Sequence, residues 1–214
     1  MVIFHTDKLR TEDSHSIHFM KKNYAKIFIN DKLVEITTNM VVASGSCFIA
    51  QRLFNINSTN GDFRNYIVSH FGIGSGGSSI VGDEVVLTGP DIRDIDNYTP
   101  IQVDPGNNTF LTSPSGIENA VKPITLDGGI EIIENTKIEC EDPNLKLSTV
   151  LCTCVINEQE PTYLDPGRAV KIDEAALYYV NPDTNDVRMF AHITFFPKYI
   201  EQESTLTIKW YVIC

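Results

Sequence analysis

Along much of this chain hydrophobic positions alternate with polar ones in short runs set between turn residues, the period-2 signature of half-buried β-strands. Ala25-Lys26-Ile27-Phe28-Ile29 and Leu33-Val34-Glu35-Ile36 flank Asn30-Asp31-Lys32, which predicts a hairpin. Between Ser44 and Phe54 the period changes. Cys47, Phe48, Ala50, Leu53 and Phe54 recur at i, i+3 and i+4, predicting the one short helix. Tyr66 to Ile73 reads as a strand entering Gly74-Ser75-Gly76-Gly77-Ser78, and Glu84–Leu87 as a second, closed by Gly89-Pro90. The clearest strands come last: Ile130–Ile133, Thr136–Glu139, Leu145–Ile156, Val170–Val180, Met189–Phe196 and Leu206–Ile213. In the third of these, Cys152 and Cys154 share one face because strand side chains alternate sides.

Residues 1–24 are polar and without period, which predicts an N-terminal arm able to pack on a neighbour. Residues 25–214 then form a single β-rich domain. Within it, 90–123 is read as a long central loop carrying Pro100, Pro105, Gly106, Pro114 and Gly116, far longer than the usual connection and so expected to make contacts. Many strands of irregular length with long loops favour a β-sandwich or barrel-like body over a parallel α/β sheet and predict a mainly β protein.

Composition narrows the partners. Among 214 residues, 28 Asp+Glu against 17 Lys+Arg give a net charge of -11. The excess lies beyond residue 60, where 61–120 hold 2 basic and 8 acidic groups and 121–214 hold 8 and 15. Such a surface repels phosphate backbones and anionic lipid heads, so neither nucleic acid nor membrane is expected as a partner. The longest uncharged stretch, Ile36 to Gln51, is interrupted by polar residues and is too short to cross a bilayer. Five cysteines, Cys47, Cys140, Cys152, Cys154 and Cys214, lack the dense spacing of a disulfide scaffold and suit a reducing cytoplasm.

Candidate chemistry is sparse. The string Gly72-Ile73-Gly74-Ser75-Gly76-Gly77-Ser78-Ser79 offers consecutive amides to an anion, but no Lys-Ser/Thr follows and no helix opens behind it, so a sharply turned loop is expected. Cys152 and Cys154 have no second pair to complete a zinc site and read as buried apolar side chains. Asp91, Asp94 and Asp96 lack the spacing of a calcium loop and read as a solvated acidic segment. His70 and His192 lie inside strands without a nucleophile signature, and His192 reads as a strand residue with a satisfied hydrogen bond. Asp173 and Glu174, adjacent on a strand, are expected on opposite faces and so not as an acid/base pair. No catalytic, cofactor-binding or metal-ligating residue is assigned, and no cofactor is expected.

The segment Val170 to Val180 carries Ile172-Asp173-Glu174-Ala175-Ala176-Leu177; after a polar turn, Phe190-Ala191-His192-Ile193-Thr194-Phe195 follows, and the chain closes on Leu206-Thr207-Ile208-Lys209-Trp210. These "I-x-E-A-x-L", "F-A-x-I-T-F" and "L-T-I-x-W" strands, with Phe71-Gly72-Ile73-Gly74-Ser75-Gly76-Gly77 upstream, resemble a pattern in structural proteins of tailed bacteriophage particles. The resemblance implies a non-enzymatic virion component made in the bacterial host cytoplasm. It would be present in multiple copies as a homo-oligomer contacting other virion proteins, in the tail, neck or baseplate region. The alternatives are a capsid decoration or a module binding a host-surface glycan or protein through Tyr66, Tyr98, Tyr163 and Tyr199; a hydrolase is disfavoured because no acid–base or covalent constellation is visible.

Overall fold

The computed structural model describes residues 23–54, 63, 65–103, 121–137, 146–158, 160 and 168–213. Among them the predicted mainly β architecture is present as two five-stranded antiparallel sheets, a small separate ribbon and one helix. The first sheet runs β2(Lys32–Thr38), β1(Tyr24–Ile29), β12(Leu206–Ile213), β9(Lys146–Ile156), β8(Gly129–Lys137). The second runs β3(Met40–Val41), β11(Val187–Ile200), β10(Val170–Val180), β4(Ile67–Gly74), β7(Val121–Pro123). Neither sheet closes into a barrel, so the body is sandwich-like.

Alternation decides what the sandwich encloses. Ala25, Ile27, Cys152, Cys154, Ile208 and Trp210 of the first sheet meet Phe71, Ile73, Leu177, Tyr179, Ile193 and Phe195 of the second in one buried cluster. The helix α1(Ala43–Phe54) closes one end, with Phe48 stacked on Tyr179 at 4.9 Å between ring centroids. Gly45 lets it come close, since a Cβ there would lie 2.1 Å from the Phe190 carbonyl oxygen. The opposite face of β10 and β11 is also buried: Ala176, Tyr178, Val180, Val187 and Met189 pack with Val42 and Val121. A sheet covered on both faces explains why Asp173 to Val180 is buried without a break.

Several expectations are refined. The polar N-terminal run predicts an arm to residue 24, yet Tyr24 already pairs with Tyr211 in β1–β12; residues 1–22 lie outside the described residues. The hairpin between β1 and β2 turns on Asn30 and Asp31, both at positive φ, conformations Asn and Asp tolerate better than most residues. Of the 90–123 loop, 121–123 is strand β7 and 90–103 is docked against the body with Asp96, Asn97, Ile101 and Val103 buried; 104–120 lie outside the described residues. Ile130–Ile133 and Thr136 onward form one strand, β8, while 138–139 lie outside the described residues. Strand β11 runs on to Ile200, beyond the predicted end at Phe196, across a register shift opposite Asp173.

The sequence pattern signals neither β3 nor the strand that follows the glycine string. Ser78–Val81 forms strand β5 and pairs with β6(Glu84–Leu87) across Gly82 and Asp83, a two-stranded ribbon outside both sheets. Gly82 takes φ +65° there, which a residue with a Cβ adopts reluctantly.

Candidate functional site

The glycine string leaves β4 at Gly74, turns through Ser75-Gly76-Gly77 and becomes β5 at Ser78. Its amides do bind anions, and those anions are the protein's own carboxylates. Glu174 Oε1 accepts the Gly76 N–H at 3.0 Å, and Asp173 Oδ1 accepts the Gly77 N–H at 2.8 Å. The expectation that Asp173 and Glu174 point apart is therefore wrong. Ile172 and Ala175, three apart, both face the core, so strict alternation is broken between them, and the β10–β11 register shifts at the same place. Glycine is required by this approach: a Cβ on Gly74 would lie 2.3 Å from Glu174 Oε1, and one on Gly77 would lie 2.2 Å from the Asp173 carbonyl oxygen.

Each carboxylate then ties in another segment. Asp173 Oδ2 pairs with Lys171 Nζ at 2.6 Å and accepts the Ser78 hydroxyl, while Lys171 also donates to the Ser75 and Ser78 carbonyls at 3.2 Å. Glu174 Oε1 accepts the Thr99 N–H at 2.9 Å, and its Oε2 accepts the Tyr98 N–H at 3.0 Å and the His192 Nε2–H at 2.9 Å. His192 Nδ1 lies 2.7 Å from Asp94 Oδ2, which also accepts the Tyr98 hydroxyl at 3.0 Å and the Asp91 N–H at 2.8 Å. Tyr98 stands edge-on over the imidazole at 4.8 Å. Next to this cluster the Tyr178 hydroxyl bonds Asp96 and lies 2.6 Å from Asn97 Oδ1.

Electrostatics make the cluster an internal ion network. Burial disfavours a charged His192, but its hydrogen bonds to Glu174 and Asp94 and the negative charges they carry outweigh it and hold the imidazole pKa above 6.5. The protonated ring, with both N–H groups donating, bridges two carboxylates. Tyr178 is pushed well above the usual phenol range by burial and by Asp96. Tyr98 is raised by burial and by its bond to Asp94. A histidine between two carboxylates can hold and pass a proton, yet the His192 and Glu174 side chains expose no surface. No substrate atom reaches them unless the 89–99 segment lifts. The closed network acts as a clasp joining β10, β11, the glycine turn and that segment.

The other candidates fall elsewhere. Asp94, half-buried, and Asp96, buried, are partners of His192 and Tyr178, contrary to the solvated loop expected of them; Asp91 does stay at the surface, paired with Arg93 at 2.8 Å. Cys152 and Cys154 are free and buried in the core; burial pushes Cys152 up to about 11 and Cys154 well above the usual thiol range. Among the described residues no group of three His, Cys, Asp or Glu is placed to hold a metal. Cys140 and Cys214 lie outside the described residues. His70 borders a surface cleft of about 290 Å³ with Ile67, Ser69, Val180, Pro182 and Asn185, its Nδ1 2.8 Å from Ser69 Oγ, and burial lowers it to about 4. Of the four tyrosines, Tyr66 is buried and bonded to Asp186, Tyr98 belongs to the clasp, Tyr199 is exposed, and Tyr163 lies outside the described residues.

Residue patterns pointed to Gly76, Gly77, Asp173, Glu174 and His192 one at a time without joining them. Lys171 and Tyr178 were missed, since nothing local separates them from ordinary strand residues. Comparison with family models, with curated proteins and with solved structures found no match for this chain.

Proposed function

We propose that this chain is a non-enzymatic structural component of a tailed bacteriophage virion, assembling in multiple copies in the tail, neck or baseplate region. The observation that carries the reading is how its most distinctive residues are used. Every one of Gly76, Gly77, Asp173, Glu174 and His192 is bonded to another part of the same chain, and the two-stranded ribbon that follows the glycine turn carries apolar side chains at the surface. On that ribbon Ile80 is 76% and Val81 63% exposed, with Val85 and Val86 also exposed. A two-stranded ribbon is marginal alone; its register sets Ile80 and Val85 on one face and Val81 and Val86 on the other, and exposed apolar side chains gathered on one element suit a protein contact. The same pattern of strands is the one that resembles phage structural proteins.

A capsid decoration or host-surface module fits less well, because two of the four tyrosines proposed for recognition are engaged inside the chain. Two measurements test the reading: the mass of the purified protein in solution, expected to be a multiple of 24.0 kDa, and its detection in intact labelled particles. A chain that stays monomeric at every concentration and is missing from particles refutes it.

A further inference from the structure

The outward face of the first sheet carries an unusual pair. Lys26 of β1 and Lys209 of β12 are direct cross-strand partners, and like charges set opposite one another destabilise a sheet. Each ammonium leans away along the diagonal onto an aromatic ring of the other strand: Lys26 Nζ sits 5.2 Å from the Tyr211 ring centre and Lys209 Nζ 5.3 Å from that of Phe28. Tyr24 stacks on Tyr211 at 4.5 Å beside them. Among the described residues neither lysine has a carboxylate partner, whereas Lys122, Lys171 and Lys198 are paired with Glu160, Asp173 and Glu35. In a chain of net charge -11, two unneutralised ammoniums flanked by aromatic faces form an acceptor for an acidic, apolar segment.

The same chain offers such a segment. The β5–β6 ribbon ends in Gly82-Asp83-Glu84, with both acidic residues exposed and Ile80, Val81, Val85 and Val86 beside them; residues 75–92 contain no Lys or Arg. The ribbon is pinned to β10 in the second sheet through Asp173, while the lysine face points away from that sheet, so one molecule's ribbon does not reach its own acceptor. We infer that the Asp83-Glu84 ribbon of one copy docks on the Lys26–Lys209 aromatic face of the next. This inference rests on the multi-copy reading above and gives it a geometry. The contact joins two different surfaces head to tail, which closes into a ring or continues as a helix.

A charge swap in the full chain tests it, read by sedimentation velocity across concentration and salt. Lys26→Glu with Lys209→Glu in one variant, and Asp83→Lys with Glu84→Lys in another, should each weaken self-association by more than about tenfold, since like charges then meet. Mixing the two variants should restore assembly. Asp83 and Glu84 are exposed and Lys26 and Lys209 half-buried, and an unchanged melting temperature separates lost contact from lost fold. An assembly indifferent to both variants overturns this interface while leaving the multi-copy reading standing. Mixing that restores nothing also overturns it, and a wild-type chain that is monomeric throughout overturns both.

Discussion

Replacing Glu174 by glutamine probes the clasp with almost no change in volume. Its two oxygens accept four N–H groups, from Gly76 and Thr99 on one and from Tyr98 and His192 on the other. A carboxamide keeps one oxygen and turns the other into an NH₂ group, so two of those donors come to face a donor. Hydrogen bonds to a charged acceptor contribute ~1.5–3 kcal/mol each, so losing two predicts a destabilisation of about 3–6 kcal/mol. Against a typical total of about 5–15 kcal/mol the effect is large, and it should lower the melting temperature by about 10 °C or more. The only tryptophan, Trp210, is fully buried, so its fluorescence during urea unfolding reports the global transition. Amide exchange should rise at Gly76, Tyr98 and Thr99 before it rises in β9 or β12. A Glu174→Gln chain within about 1 kcal/mol of wild type, with those amides still protected, would mean that the network contributes little and that other contacts hold the turn.

Gly77→Ala should destabilise by about 1–3 kcal/mol or more, because the new methyl would meet a strand carbonyl that has no room to withdraw; Gly89→Ala, with nothing within 4 Å, serves as the neutral control in the same urea series. His192, buried, and His70, half-buried at the cleft, should give stability opposite pH slopes. His192 is raised above 6.5, so its contribution is complete below that pH and is lost as pH climbs through the folded value, a fall that His192→Gln should flatten. His70 is lowered from 6.5 to about 4, so the unfolded chain takes up a proton that the folded chain refuses. Stability is then lost between those values on acidification, by about 3 kcal/mol, and His70→Phe should remove that loss in melts across pH. Cys152 and Cys154, buried and shifted upward, should resist alkylation at mild alkaline pH in the folded protein and react once urea unfolds it; fast labelling of the native chain would contradict their place in the core.

Local periodicity determined most of the elements. Val170–Val180 and Leu206–Ile213 are strands to the residue, the β1–β2 hairpin turns where Asn30-Asp31 permits positive φ, and the helix lies where the period changes. Each of these depends on neighbours only a few positions away, and their side chains state the outcome. The clasp does not. Glu174 finds its partners 98, 76, 75 and 18 residues away, and whether a carboxylate faces an amide or water is settled only when the sheets assemble. Alternation even predicts the wrong answer for Asp173 and Glu174, because packing both Ile172 and Ala175 into one core breaks the strict two-residue period between them. For the same reason Asp94 and Asp96 look like surface acids along the chain and become partners of His192 and Tyr178 once the 89–99 segment closes over the second sheet.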